Sequence, residues 1–157
     1  MLSHVDSNNQ PAMVDVSGKT PTKRSAHARA VVSLPDEVVA LFADGDIQSK
    51  KGPVFQTAIL AGVMAAKKTS DLIPLCHPIG LEDCKIDIQL EDNGEIQIDC
   101  HTVVTHKTGV EMEALTGATI AALTVYDMCK GVSHDIVIRE TRLIEKKGGK
   151  SDYHGPE

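Results

Sequence analysis

The residues of this chain best suited to chemistry are lysines, carboxylates and a histidine fixed between prolines. Asp127 and Lys130 stand three positions apart, so on a helix their carboxylate and ammonium are neighbours. As an ordinary surface pair they would contribute little. They end, however, a stripe that runs Thr116, Ile120, Leu123, which sets them at the edge of an apolar surface and suits them to proton transfer. Glu111 and Glu113 stand at the other end of the same segment. They either cap a helix start, where the dipole favours anions, or face a ligand. His77 lies in Asp71-Leu72-Ile73-Pro74-Leu75-Cys76-His77-Pro78, where two prolines forbid regular helix and restrict where the imidazole points. It reads as a packed side chain or as an acid–base or ligand contact; a metal role lacks further ligands at the usual spacings. Lys51 precedes Gly52-Pro53 at a helix start, a position that binds anions unless the lysine is simply solvated. The run Glu145-Lys146-Lys147-Gly148-Gly149-Lys150-Ser151 is no phosphate loop, because the required upstream glycine position is Ile144 and no helix follows. It reads instead as a cationic flap able to close on phosphates. Without a zinc set, a nucleophile triad or a dinucleotide fingerprint, this inventory suits acid–base chemistry on a phosphorylated substrate.

The elements that must position these groups follow from apolar spacing. Glu111 and Asp127 sit on one long helix expected from about 110 to 130, with Leu115, Ala118, Ala122, Val125 and Cys129 as its core stripe. Its middle holds no charge, which predicts burial on more than one side. Glu113 and Asp127 would be about 21 Å apart along it, so either the ligand is long or its charged ends belong to sites that different subunits complete, and the two-sided burial fits the second. Residues 28–34 read as a strand, and Pro35, Asp36 and Glu37 open a helix expected to reach 43. A second helix starts near 54 and ends at Lys67-Lys68. Residues 85–90 and 95–100 alternate around an Asn93-Gly94 hairpin turn, and a last strand covers about 135 to 144. This order predicts an α+β fold, a ferredoxin-like antiparallel sheet with helices packed on one face. The expected division is a flexible arm over 1–25, one catalytic domain over 26–147 and a flexible tail over 148–157, with a short extended piece at Met13–Val16.

Composition narrows the partners. The 157 residues carry a net charge of -6, which argues against nucleic acid and requires a local cationic cluster for any anionic ligand. Aromatic residues are 3% of the chain, with no Trp, so base stacking is a minor means of recognition. Four cysteines without a C-x-x-C spacing read as reduced thiols. The start has no apolar leader and no apolar run is long enough to cross a membrane, so the expectation is a cytoplasmic protein.

Several blocks together resemble one family: Met13-Val14-Asp15-Val16-Ser17, the Lys51-Gly52 turn with Val54-Phe55, the Leu75-Cys76-His77-Pro78 loop, Lys107 through Thr116, Tyr126-Asp127-Met128-Cys129-Lys130, and Gly148-Gly149-Lys150-Ser151. The chain resembles the cyclic pyranopterin monophosphate synthases of molybdenum cofactor biosynthesis over nearly its whole length. The resemblance implies a lyase acting on 3′,8-cyclo-7,8-dihydroguanosine 5′-triphosphate, forming the cyclic pyranopterin monophosphate and releasing diphosphate, with no cofactor. It implies Asp127 and Lys130 as the central acid–base pair and Lys51 and Lys146 as further functional lysines. It implies Leu75, Cys76, His77, Met112 and Glu113 as substrate-binding positions, with Glu111 beside them. It also implies a homo-hexamer, a trimer of dimers, whose sites lie between subunits. The rivals are a nucleotide-binding module without chemistry and a metal-binding Cys/His protein, which turnover and zinc content would separate.

Overall fold

A computed structural model describes residues 4–156. The first three residues of the expected arm and Glu157 of the expected tail lie outside the described residues. β1 (Thr22–Ser33) alternates cleanly, with Ala26, Ala28, Ala30 and Val32 buried on one face. It is longer than the apolar run at 28–34 announces, because it is paired along its full length on one side and most of it on the other. After Pro35 comes only one helical turn, α1 (Asp36–Val39). The helix expected to reach 43 gives way to β2 (Phe42–Ala43) and β3 (Asp46–Ser49). Asp44 and Gly45 join them with φ of 52° and 81°. Positive φ at both central residues makes a tight hairpin turn, so the Asp-Gly pair reverses the chain rather than merely ending a helix. β4 (Gly52–Pro53) adds to β3 and leads into α2 (Val54–Ala66), followed by the short α3 (Thr69–Leu72).

β5 (Asp83–Leu90) and β6 (Glu95–His106) form the expected hairpin, with Gly94 at φ 80°. α4 (Glu111–Cys129), β7 (Val137–Lys147) and β8 (Tyr153–His154) complete the chain. The main sheet has the order β5-β6-β1-β7-β8, and every neighbouring pair is antiparallel. β1-α2-β5 and β6-α4-β7 are two interleaved crossovers, which is the ferredoxin-like arrangement the sequence predicts. The stretch at Met13–Val16 carries no strand pairing. Beyond Gly148 the chain turns back: the Thr22 hydroxyl donates to Gly148 O at 2.7 Å, and Gly155 N–H donates to Ile144 O at 2.7 Å.

α2 and α4 cover the same face of the sheet and pack on each other. Small residues make this possible. Ala114, Gly117, Ala118, Ala121 and Ala122 of α4 are buried over the alanines of β1. A Cβ on Gly62 of α2 would stand 2.7 Å from the Gly117 carbonyl oxygen, and a Cβ on Gly117 would stand 2.7 Å from Cys100 Sγ. The helices therefore approach at glycine distance, and α4 lies low on the sheet. The other sheet face is polar. There His27 Nε2 and Arg29 Nε lie 2.5 and 2.9 Å from Asp99 Oδ1, and His101 stacks on His27 at 4.0 Å. One face packed and one polar is the usual condition of an antiparallel sheet.

Candidate active site

The two ends of α4 build two separate clusters. At its C-terminal end, Asp127 holds two ammonium groups. Lys130 Nζ lies 2.8 Å from Oδ1, and Lys51 Nζ lies 3.1 Å from Oδ2 and 3.1 Å from the Asp127 carbonyl oxygen. All three side chains are about half exposed. Lys130 first and then Lys51 hold the Asp127 carboxyl below its ordinary range, while Asp127 holds the Lys130 ammonium above its own. In the unliganded site the aspartate is therefore an anion and Lys130 a cation. Either becomes a proton carrier only when a ligand rearranges the pair. These residues line a cavity of about 380 Å³ with Leu41, Met128 and Val132.

Local chemistry fixes Lys51 in place. Gly52 has φ 112°, open to glycine and costly for other residues. The Ser49 hydroxyl accepts Lys51 N–H at 3.1 Å and donates to Gly52 O at 2.9 Å. Below the turn, the buried Asp46 carboxylate accepts N–H bonds from Ile47 and Phe55 at 2.6 Å and from Gln56 at 3.2 Å. Asp46 so caps α2 from nine residues upstream and ties β3 to it.

The N-terminal end of α4 carries the second cluster. The Thr102 hydroxyl donates to Val110 O at 3.2 Å and pins the helix start to β6. Glu111, Met112 and Glu113 follow, facing Leu75, Cys76 and His77 across a cavity of about 320 Å³. His77 Nε2–H donates to Val14 O at 2.7 Å, so this loop holds the chain segment around 14 against the cavity. Glu113 is 3% exposed and its Oε2 has no hydrogen-bond partner among the described residues; nor has Glu111 Oε2. Burial, opposed by its own backbone N–H and reinforced by Glu111, pushes the Glu113 carboxyl up to about 7. Burial, then Glu113 and Glu111, also raises the Cys76 thiol, so it is a neutral wall group.

Lys146 Nζ lies 3.9 Å from Glu111 Oε1 and so belongs with this second cluster, whereas Lys147 pairs with Glu145 at 2.8 Å. Beside them a smaller cavity of about 130 Å³ is rimmed by Arg24, Lys146, Lys147 and Lys150, a local concentration of cations in an acidic protein. The structure thus brings Lys51, Asp127 and Lys130 together, and separately Leu75, Cys76, His77, Glu111, Met112, Glu113 and Lys146. It does not bring the two groups together, since their cavities share no lining residue. Arg24 and Asp46 lie in none of the motifs the sequence shows, and only the β1–β6 pairing and the fold of the β3–β4 turn reveal their positions; Lys107 opens a motif block, but its contact with the segment around Ser17 is visible only in the fold.

A sequence profile described as the MoaC family matches residues 13–149. The chain belongs to the MoaC family. Both clusters fall inside the matched region. Among relatives, a Xanthomonas oryzae pv. oryzae protein named cyclic pyranopterin monophosphate synthase is 49% identical over 151 residues, covering 96% of this chain and 92% of that protein. A Synechocystis protein named molybdenum cofactor biosynthesis bifunctional protein is 51% identical over 97% of this chain. A Dictyostelium discoideum protein named molybdenum cofactor biosynthesis protein 1 is 50% identical over 96% of it. The chain spans 45% of the Synechocystis protein and 26% of the Dictyostelium one. Among the described residues no helix is long and apolar enough to cross a membrane, and no group of three or more His, Cys, Asp or Glu is placed to hold a metal ion.

Proposed function

We propose that this chain converts 3′,8-cyclo-7,8-dihydroguanosine 5′-triphosphate to cyclic pyranopterin monophosphate with release of diphosphate, a lyase step of molybdenum cofactor biosynthesis. Membership of the MoaC family, with a relative of nearly equal length at 49% identity that bears the synthase name, carries the reading. Closing the cyclic phosphate forms a bond from a substrate hydroxyl to the α-phosphorus and breaks the bond to the β-phosphate oxygen. A base must take the hydroxyl proton and cations must stabilise the departing diphosphate. Asp127 and Lys130 supply the proton-transfer pair, and Lys51 and Lys146 bind phosphate oxygens. Leu75, Cys76, His77, Glu111, Met112 and Glu113 bind the base.

The working unit of this proposal is a cytoplasmic homo-hexamer, a trimer of dimers with sites between subunits. The separation of the two clusters along an unbroken α4 supports it. So do Leu60, Met64 and Leu123, which stand 61%, 51% and 52% exposed on the outer sides of α2 and α4. The test is diphosphate release from the cyclised triphosphate by the wild type and by Asp127→Asn. The expected result is steady release by the wild type and none by the variant, with the same oligomer size for both. Undiminished release by Asp127→Asn would sink its role, and binding without release by the wild type would favour a nucleotide-binding module instead.

A further inference from the structure

We propose that Glu113 meets the bound heterocycle as a neutral carboxylic acid that donates a hydrogen bond to an acceptor atom of the ring, while Glu111 beside it accepts hydrogen bonds from ring or amino N–H groups. This rests on the reaction proposed above and deepens it by assigning the polarity with which the site reads the base.

Two carboxylates line one cavity, and each has a buried oxygen without a partner among the described residues. A carboxylate only accepts, so an orphaned buried oxygen implies a donor still to come. Two anions so close would also repel each other, and a ring with a carbonyl acceptor beside its N–H donors would meet two acceptors and no donor. One proton resolves both conflicts. Glu113 is its natural holder, because Glu113 is 3% exposed whereas Glu111 is about a third exposed and faces the Lys146 ammonium at 3.9 Å.

The charged groups around Glu113 do not answer it. Lys107, from the turn before α4, donates to Ser17 O at 2.9 Å, and Arg24 of β1 donates its Nε–H to His106 O at 3.1 Å. His77, from the loop after α3, is committed to Val14 O, and the Cys76 thiol next to it is neutral. His4 and Lys19 line the cavity from the N-terminal segment and bond none of these carboxylates. Burial and the nearness of Glu111 place the Glu113 carboxyl at about 7, in keeping with the protonated form.

The test measures binding of the cyclised triphosphate by calorimetry in the Asp127→Asn background, where turnover is blocked, with and without Glu113→Gln. Glutamine is a fixed neutral group that keeps an N–H donor. The substrate's terminal phosphate titrates in the same window, so the quantity read is the ratio of the two affinities at each pH. For a group titrating near 7, affinity that requires the acid falls about tenfold from pH 6 to pH 8, and the ratio should move by that factor in favour of the glutamine protein. A ratio constant with pH overturns the proposal. So does a ratio that moves the other way, which would mean that the anion binds. Infrared spectroscopy of the Asp127→Asn protein gives an answer even if Glu113→Gln does not fold: a carboxylic-acid C=O band present at pH 6 should disappear near pH 7, and the absence of any such band above pH 6 refutes the neutral acid. Diphosphate release by the wild type reports separately on the reaction itself.

Discussion

The Asp46 carboxylate is the single acceptor for three backbone donors that join β3 to the first turn of α2, and Lys51 hangs on the turn between them. Replacing Asp46 with alanine orphans the N–H groups of Ile47 and Phe55, residues that are 0% and 4% exposed. Each buried donor left without a partner costs about 1–3 kcal/mol, and the more accessible Gln56 bond adds about 0.5–1 kcal/mol. The expected loss is therefore about 4 kcal/mol, a large part of the roughly 5–15 kcal/mol that holds a domain folded. For a chain of this size it corresponds to a melting point about 8–16 °C lower. Asp46→Asn keeps the Oδ1 that Ile47 and Phe55 share and turns its amide N–H₂ towards Gln56 N–H alone, so a smaller loss of about 1–2 kcal/mol is expected. The assay is urea unfolding followed by circular dichroism at one fixed protomer concentration, since association adds to apparent stability. An alanine variant within about 0.5 kcal/mol of the wild type, at unchanged m, would refute the account of how the Lys51 turn is held.

Burial raises the Glu113 carboxyl from 4.5 to about 7, so the folded chain holds this proton more tightly than the unfolded chain. Its contribution is fully present below pH 4.5 and is lost as pH rises through about 7; the loss is roughly 3 kcal/mol at about 1.4 kcal/mol per pH unit. Urea titrations at pH 5 and pH 8 should therefore show the wild type losing about 2.5 kcal/mol more than Glu113→Gln, and equal losses would mean that the carboxyl is not buried as an acid. Gly62→Ala places a methyl group against Ile86 Cδ1 and 2.7 Å from the Gly117 carbonyl oxygen, where backbone cannot retreat. Overpacking of this kind costs about 1–3 kcal/mol, and an unchanged melting temperature would show that α2 and α4 have room to spare.

Local signals made some elements legible in the sequence and hid others. α4 and the β5–β6 hairpin were readable because their determinants lie within them: an uncharged amphipathic run, clean alternation and an Asn-Gly turn. The β2–β3 hairpin was not, because Pro35, Asp36 and Glu37 do start a helix, and only pairing with β3 ends it after one turn. The first half of β1 was equally opaque. It is mostly polar, alanine has little strand preference, and Ala26 is chosen to fit beneath α4. The candidate site divides in the same way. Asp127 and Lys130 are one turn apart and visible as a pair, but Lys51 reaches them across 76 residues of sequence. Asp46 and Arg24 act on positions that only the folded chain brings near, so residue type alone could not single them out.

The small residues of α4 link its packing to its chemistry. Because Ala114, Gly117, Ala118, Ala121 and Ala122 let the helix lie close against β1 and α2, its packed face admits no charged group; the middle carries threonines but no titratable side chain, and those stand at its ends. The helix is unbroken from Glu111 to Cys129, so the Glu113 and Asp127 positions stay about 21 Å apart within one chain. Under the proposed reaction, the same substrate molecule must have its base held at one of these ends and its phosphates worked on at the other. A rigid helix cannot fold its ends together. Two copies laid side by side in opposite directions can, because the Asp127 end of one then stands beside the Glu113 end of the other. The exposed leucines and methionine on α2 and α4 would supply the apolar contact between copies, while the cations near Lys146 and Lys51 would close on the triphosphate from both chains. On this reasoning a monomer would retain both halves of the machinery and still fail to turn over. The catalytic unit is then set by the length of α4 rather than by any single residue on it.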